Sequence, residues 1–373
     1  MSKNHNRLSI HKDGQPCYDI VYSTDLDSLI RELKGLGYVG RRPCIVTDTN
    51  VAPLYAGQIA HEVERLGQKP LIYAIPAGED NKTLDQIRTL LRVLVENQFD
   101  RSSYLIALGG GVVGDMTGFA AAVYMRGIDF IQIPTTLLSQ ADSSIGGKTG
   151  VDFDGFKNMV GAFKMPRLVW TNVDFLKSLD GRQFASGFAE IMKSALIKDS
   201  DFYVWLIDRM VEIRERDSSV LSEMLYRSNE IKKKVVEADP YEKGERMLLN
   251  FGHTIGHAIE KHLNFEMTHG ECVALGCVAA AYISYQRKHL SWEEYYEIRD
   301  MFVPFGLPIS LKSVDADAIL QLTKSDKKAR NGLVRFVLLR SIGDAYVDES
   351  VTDAEMLAAI RELDFSVKTG EKS

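Results

Sequence analysis

Apolar positions change their rhythm about halfway along this chain. In the first half, short β-type runs recur at Cys44-Ile-Val-Thr-Asp48, Leu71-Ile-Tyr-Ala-Ile75, Tyr104-Leu-Ile-Ala-Leu108 and Phe130-Ile-Gln-Ile133. Between them apolar residues fall at helical spacing, over about 51–66, 83–97 and 112–125. Such alternation predicts a mostly parallel sheet with helices on both faces. Past about residue 175 helical patterns dominate, over 182–197, 201–213, 218–237, 246–262, 270–287 and 292–304. A late β-type run over 334–339 follows Gly332 and is expected to make a hairpin with 342–348. Thr268-x-x-Glu271 and Thr352-x-x-Glu355 have capping-box spacing ahead of apolar helical runs. The expected division is an α/β nucleotide-binding domain over 1–175 and a mainly α-helical domain over 176–373.

Composition narrows the class. The chain has 373 residues, 45% apolar and 26% charged, which suits an ordinary globular protein of two domains. A core of that size needs no disulfide or metal staple to fold. The net charge of -6 argues against general affinity for nucleic acid or anionic membranes. No apolar run approaches the roughly 18 residues that span a bilayer. The opening Met-Ser-Lys-Asn-His-Asn-Arg has no apolar signal region. Cys17, Cys44, Cys272 and Cys277 form no CxxC pair, so reduced thiols are expected. A cytoplasmic protein is the expectation.

A glycine-rich turn follows the third of these β-type runs. Gly109-Gly110-Gly111-Val112-Val113-Gly114-Asp115 has the spacing G-x-G-x-x-G between a strand and a helix. Amides at such a helix start can cradle a diphosphate, and glycine lets the backbone approach it. Its position is unusual, because no acid ends a strand about 20 residues later; Asp129 begins one. Asp48, at the end of an earlier run, is the better ribose partner, unless it serves as a helix N-cap together with Asn50. Pro76-Ala-Gly-Glu79-Asp-Asn-Lys82 occupies another strand-to-helix turn, which makes Glu79 and Lys82 candidate cofactor contacts.

Four of the eight histidines lie between His253 and His269. On a helix, His253 and His257 are i,i+4 neighbours on one face. His269 opens the next helix, and Gly252 and Gly256 would let another element come close. Glu190 is a carboxylate in the otherwise apolar Gly187-Phe-Ala-Glu190-Ile-Met-Lys193. Two histidines and Glu190 would satisfy a catalytic zinc with an open position. Spacing leaves open which two and favours His253 with His257; His262 reads as a solvated helix residue. Isolated cations stand in glycine-rich or apolar settings: Arg126, Lys148, Lys157 beside Asn158, Lys193, Lys232, Arg246 and Lys327-Lys328. Gathered together they would form an anion site on an acidic protein, suited to phosphate and carboxylate. Gly146-Gly147-Lys148-Thr149 lacks the G-x-x-x-x-G-K-[ST] spacing of a P-loop, which excludes that reading.

These motifs, in this order, resemble the 3-dehydroquinate synthase family of the sugar-phosphate cyclases. The resemblance extends from about residue 44 to 340 and includes Tyr-Met-Arg126-Gly, Ile-Pro-Thr135-Thr136-Leu-Leu, Asp142-Ser-Ser-Ile-Gly-Gly-Lys148, Lys157-Asn158-Met, Arg246-Met-Leu-Leu-Asn250-Phe-Gly-His253, Thr-His269-Gly-Glu and Asp326-Lys-Lys328. Ala141 stands where valine is commoner, and Ser194-Ala195 where Tyr-Gly is frequent; neither carries a reacting group.

The resemblance implies an active site in a cleft between a nucleotide-binding α/β part and a helical part. It implies NAD and one divalent metal, zinc or cobalt. By motif the metal ligands become Glu190, His253 and His269, and His257 becomes a substrate or proton-relay residue. The implied nucleotide contacts are Asp48, Glu79, Lys82, Gly109, Gly110, Gly111, Val112, Asp115, Thr135, Thr136, Lys148 and Lys157. Lys148, Asn158 and Lys193 would meet substrate polar groups. Lys232, Arg246, Asn250 and Lys328 would hold its carboxylate or phosphate. Asp142 would orient Lys148 or bind substrate, and Arg126 would reach a neighbouring subunit's site in a homodimer. The implied reaction closes 3-deoxy-D-arabino-heptulosonate 7-phosphate into 3-dehydroquinate. It runs through transient oxidation of the C5 hydroxyl by NAD, phosphate elimination, reduction, ring opening and an intramolecular aldol step. Competing readings are a sister cyclase of the epi-valiolone or inosose type, a metal- and NAD-dependent polyol dehydrogenase, and a non-catalytic sugar-phosphate sensor.

Overall fold

The computed structural model describes residues 6–239, 244–325 and 335–365. Contacts gather the chain into two compact units. One comprises the chain up to Leu179 together with Leu221–Tyr226; the other comprises Asp180–Val220 and the chain from Arg227 onward.

The first unit is an α/β unit. Its strands are β1 (Arg7–Lys12), β2 (Gln15–Tyr22), β3 (Pro43–Asp48), β4 (Leu71–Ile75), β5 (Tyr104–Gly109), β6 (Asp129–Pro134), β7 (Lys148–Phe153), β8 (Phe156–Phe163) and β9 (Leu168–Thr171). Its helices are α1 (Leu26–Gly35), α2 (Gly57–Glu64), α3 (Leu84–Glu96) and α4 (Gly111–Val123). Seven strands form one sheet in the order β1-β2-β9-β6-β5-β3-β4. All neighbours run parallel except β1 and β2. Successive residues of the central strands feed different cores, as period-2 geometry requires. Ile45, Ile106, Leu108 and Ile131 join one cluster with Leu29, Leu33 and Ile59. Cys44, Val46, Leu105, Ala107 and Phe130 join the other, with Ile87, Leu90 and Leu94 of α3 and Met116 of α4. The expected parallel sheet with helices on both faces is therefore present.

The β1–β2 hairpin, β9, α1 and the β7–β8 hairpin add to the predicted elements. The first of these had a local signal: Asp13-Gly14 takes left-handed φ of 53° and 76°, the turn that joins such strands. The pattern expected as one helix over 51–66 begins as a π-helical turn, Ala52–Ala56, where Pro53 removes an amide donor.

The second unit is mainly helical. It holds α5 (Gly181–Lys198), α6 (Ser200–Asp208), α7 (Met210–Arg214), most of α8 (Ser218–Ala238), α9 (His253–His262), α10 (His269–Gln286), α11 (Trp292–Asp300), α12 (Ala316–Ser325) and α13 (Asp353–Glu362), with a hairpin of β10 (Phe336–Ser341) and β11 (Asp344–Asp348). α10 is apolar around most of its circumference and buried along nearly its whole length, which makes it the central element. Both capping boxes form, at Thr268/Glu271 and Thr352/Glu355. No helix among the described residues is long and apolar enough to cross a membrane.

The continuous helix expected over 246–262 is corrected. Glu245–Asn250 is a 3-10 turn, the chain breaks at Phe251 and Gly252, and α9 starts at His253. Gly252 has φ of 77°, a left-handed value that ends helical hydrogen bonding. The 201–213 pattern likewise divides into α6 and α7 at Arg209, and the 292–304 helix stops at Asp300, short of Pro304.

One polar cluster fastens the outer helix. Arg287, just past α10, holds Glu355 of α13 through Nε–Oε1 at 2.7 Å and Nη2–Oε2 at 3.0 Å, and reaches Asp348 of β11 at 3.0 Å. Arg287, together with the Thr352 cap, pulls the Glu355 carboxyl down to about 2 from its ordinary 4.5. A depressed carboxyl stabilises the fold above its unfolded pKa and loses that contribution as pH falls through the folded value. Glu355→Gln is therefore expected to cost on the order of 1–2 kcal/mol at pH 7, allowing for its partial exposure. The difference from the parent should vanish between pH 4.5 and about 2. Urea unfolding followed by circular dichroism across that range checks it.

Candidate functional site

The helical unit contains a carboxylate that burial would ordinarily forbid. Glu190, in the middle of α5, is 3% exposed, and so many kcal/mol of lost hydration must be offset by partners. Lys193, one turn later, forms an ion pair with Oε2, and its Nζ also donates to the Leu249 carbonyl at 2.6 Å. Oε1 faces two imidazoles: His253 Nε2 at 3.5 Å and His269 Nε2 at 3.2 Å. The other nitrogen of each ring faces a further oxygen. His253 Nδ1 lies 3.1 Å from the Phe251 carbonyl, and His269 Nδ1 lies 3.7 Å from Glu260 Oε2.

Electrostatics follow from this geometry. Burial would raise the Glu190 carboxyl, but Lys193 and the two histidines hold it well below the usual carboxylate range. Burial and the Lys193 charge keep His253 neutral, with its pKa pushed far down. Burial also opposes charge on His269, yet Glu190 and Glu260 overcome it and raise that ring to about 9.

Close helix packing brings these groups together. α9 and α10 meet through glycines. A Cβ on Gly252 would sit 2.6 Å from Cys277 Sγ, one on Gly256 would sit 2.7 Å from the Cys272 carbonyl, and one on Gly276 would overlap the Gly252 carbonyl. The start of α10 is pinned to α5 in the same way. A Cβ on Gly270 would overlap the Ser186 backbone, and the Gly270 amide donates to Ser186 Oγ at 3.0 Å. Arg182 adds a two-pronged pair to Glu271, 2.7 Å on each side. His269, beside Gly270, thus arrives against Glu190.

All three histidines converge: potential ligand atoms of His253, His257 and His269 lie within 4.8 Å of one another. The pair favoured by spacing, His253 with His257, has ring centroids 4.9 Å apart. Only the folded chain reveals that His269, sixteen positions after His253, comes equally near, at 5.4 Å. Glu260 carries no motif and escapes a reading of the sequence. The signal was its place three residues after His257 on the same helical face.

The α/β unit builds a second site at the carboxyl ends of adjacent strands. β4, β3, β5 and β6 are neighbours, and the chain changes direction across the sheet between β3 and β5. Ligand crevices open at such switch points. Around this one stand Asp48 at the end of β3, the Gly78–Lys82 turn after β4, Gly109–Gly111 from the last residue of β5 onward, and Thr135 and Thr136 after β6. Gly110 caps α4 without any side-chain hydrogen bond, leaving that helix start to an external acceptor. The glycines are needed: a Cβ on Gly109 would sit 2.6 Å from Val113, and one on Gly110 3.0 Å from Thr136. Thr135 Oγ1 is buried with no hydrogen-bond partner. Asp48 Oδ1 accepts from the Asn50 and Val51 amides at 2.8 and 2.9 Å, which closes a turn and occupies one carboxylate oxygen; the helical segment that follows has Val51 as its N-cap, with no side-chain cap hydrogen bond.

Lys82 is 4% exposed and joins three of the expected site residues. Its Nζ lies 2.8 Å from Asp115, 3.6 Å from Glu79 and 2.6 Å from Asn158 Oδ1. Burial pushes the Asp115 carboxyl up to about 6 despite Lys82, while Asp115 and Glu79 overcome burial to raise Lys82. Asn158, with φ of 53°, therefore ties the β7–β8 hairpin to Lys82, and through it to Asp115 of α4. Lys148 and Lys157 are exposed on that hairpin, and Lys148 opens a strand, which agrees with the exclusion of a P-loop. Asp142 sits in a π-helical turn, Ser139–Ser143. Arg126 is exposed beside Met125, both with left-handed φ. In the helical unit Lys232 and Arg246 are buried and Asn250 is half-buried, whereas Lys328 lies outside the described residues.

Comparison with known proteins decides the family. The model for the 3-dehydroquinate synthase N-terminal region matches residues 72–186, and the model for its C-terminal region matches 187–329. The chain belongs to the 3-dehydroquinate synthase family. A 3-dehydroquinate synthase of Acetivibrio thermocellus is 40% identical over 343 residues, covering 92% of this chain and 95% of that protein. Among solved structures, a 2-epi-5-epi-valiolone synthase of Streptomyces hygroscopicus subsp. jinggangensis, with NAD+ and Zn2+ bound, superposes with a TM-score of 0.86. It is 28% identical and is matched over 93% of this chain and 96% of its own. A 2-deoxy-scyllo-inosose synthase shares the fold at a TM-score of 0.85 and 24% identity, over 95% of this chain and 99% of its own.

The glycine contact makes a prediction for this family member. Gly276→Ala is expected to destabilise the helical unit by about 2 kcal/mol or more, since backbone must move to admit the methyl. Gly181→Ala, where the methyl meets nothing within 4 Å, should be near neutral. Urea midpoints of the two variants measure the difference.

Proposed function

We propose that this protein is a phosphate-eliminating cyclase that converts 3-deoxy-D-arabino-heptulosonate 7-phosphate into 3-dehydroquinate and phosphate, using NAD and one divalent metal. The observation that carries the reading is family membership, with 40% identity over 92% of the chain, joined to the convergence of Glu190, His253 and His269. Tetrahedral zinc with bonds of about 2.1 Å holds its ligand atoms about 3.4 Å apart. The Glu190–His253 and Glu190–His269 separations of 3.5 and 3.2 Å fit that spacing. Both histidines face another oxygen with Nδ1 and the Glu190 carboxylate with Nε2, the orientation that metal ligands need. The uncapped α4 start, its glycines and the partnerless Thr135 hydroxyl fit a dinucleotide phosphate.

Glu190, His253 and His269 would hold the metal; Asp48, Glu79, Lys82, Asp115, Thr135, Thr136 and the Gly109–Val112 turn would hold the nucleotide. When bound, NAD supplies a hydride acceptor and donor, and the metal supplies a Lewis acid for vicinal substrate oxygens. The chain's own residues then bind and move protons. Lys193, held between Glu190 and the Leu249 carbonyl, is the proposed donor to a substrate oxygen. His257, one turn beyond His253, is the proposed proton relay for the hydroxyl that is oxidised. Arg246, Lys232, Asn250 and Lys328 are the proposed anchors for carboxylate and phosphate, and Lys148, Asn158, Lys157 and Asp142 further polar contacts. Fixing a flexible seven-carbon substrate in one geometry supplies a large share of such a rate. The reading also carries a cytoplasmic homodimer in which the exposed Arg126 serves the partner's site.

Three measurements test it. Purified protein with NAD, zinc and the heptulosonate phosphate should release phosphate and dehydroquinate in equal amounts, with no net NADH. Absence of both products would sink the reading, and turnover of a sugar phosphate lacking the carboxylate would favour a sister cyclase. Stripping the metal with a chelator should abolish turnover, with zinc or cobalt restoring it. His269→Ala should lower kcat by on the order of 100-fold or more, since losing a ligand should cost at least as much as losing the group that orients one; retained activity would refute its assignment.

A further inference from the structure

We propose that Glu260 is a positioning residue that sets which nitrogen of His269 meets the metal. The inference rests on the metal reading above. Helix α9 places His253, His257 and Glu260 at i, i+4 and i+7, so that one face carries all three toward the start of α10. Glu260 is 3% exposed, and a carboxylate that deep requires a donor. Its Oε2 stands 3.7 Å from His269 Nδ1, while Nε2 of the same ring stands 3.2 Å from Glu190 Oε1. The imidazole is thus held between two carboxylates on opposite nitrogens. With Nδ1–H directed at Glu260, the Nε2 lone pair is left for the ion.

His253 achieves the same orientation by other means. Its Nδ1 faces the Phe251 carbonyl, just ahead of the left-handed Gly252. One ligand is therefore oriented by a neutral backbone group and the other by a carboxylate. The difference has a chemical consequence. A carboxylate behind an imidazole raises its donor strength and adds negative charge close to the centre, and both effects favour the divalent ion. A neutral carbonyl orients the ring and raises its donor strength less, and it adds no net charge. Glu260 is in addition the one orienter of the two that a side-chain substitution can remove. If Glu260 served only to join α9 to α10, its replacement would lower stability and leave metal affinity alone.

The test uses the full-length protein stripped of metal and titrated with cobalt, followed by the cobalt d–d absorption band and by competition with a chelating dye. Thermal midpoints of the metal-free proteins are recorded alongside. Glu260→Gln should bind cobalt 10–100-fold more weakly, with an altered band and a metal-free midpoint close to the parent's. Glu260→Asp, which keeps the charge but draws it back, should fall between the two. A folded Glu260→Gln protein with parental affinity and band overturns the proposal. If the Gln variant does not fold, parental cobalt binding by the Asp variant overturns it, and failure of both to fold assigns Glu260 a structural role and overturns it as well. His269→Ala separates the two levels of the argument. If that variant binds cobalt like the parent, the metal reading itself fails; if it loses cobalt while Glu260→Gln does not, only the role of Glu260 fails.

Discussion

A carboxylate buried to 3% exposure in the middle of a helix is the constraint around which the helical unit is arranged. Left alone, Glu190 would protonate or unfold its surroundings, because a low-dielectric interior offers nothing in place of water. Lys193 answers one oxygen from the same helix, and His253 and His269 face the other from two different helices. The four groups are mutually dependent. Removing a partner leaves an uncompensated buried charge, which costs far more than the pair itself contributes. Such a cluster is poor value as a stabilising device and well suited to receive a cation.

Bringing three helices to one carboxylate requires backbones closer than ordinary side chains permit. Gly252, Gly256, Gly270 and Gly276 remove the obstructing Cβ atoms at the contacts between α9, α10 and α5. Their positions also explain why the long helical pattern before His262 is broken. Gly252 adopts a left-handed backbone so that α9 begins at His253, with the Phe251 carbonyl turned toward the imidazole. The Arg182–Glu271 pair and the Ser186 contact then hold the first turn of α10 in place. Packing and chemistry share the same few residues here, so a methyl added at Gly276 disturbs both.

The α/β unit follows a different logic. Its site rests on the sheet order, which places the ends of β4, β3, β5 and β6 side by side. Each end contributes a short turn, and the glycines that follow β5 leave the start of α4 without a side-chain cap. Lys82 then links the turn after β4 to α4 and to the β7–β8 hairpin. A residue expected only as a nucleotide contact is also a buried tie between the glycine-rich helix and the hairpin that carries Lys148 and Lys157.

Local pattern alone determined a good deal. The alternation of apolar runs with helical stretches specified the parallel core β3–β6, because period-2 and period-3.6 burial are written residue by residue. The two capping boxes and the β10–β11 hairpin were legible for the same reason: caps and tight turns depend on residues a few positions apart. The metal chemistry was visible as a density of histidines, and the ordered motifs identified the family. Tertiary structure decided what depends on distant segments. It set β1, β2 and β9 beside the core, broke the 246–262 helix at Gly252, and brought Glu190 to histidines more than sixty positions later. It also supplied Glu260, which no motif marks. Spacing along one helix made His253 and His257 the natural pair, since a helix promises approach only between residues three or four apart. The approach of His269 to Glu190 is set by glycine contacts between helices, and no local pattern encodes which backbones those glycines will meet.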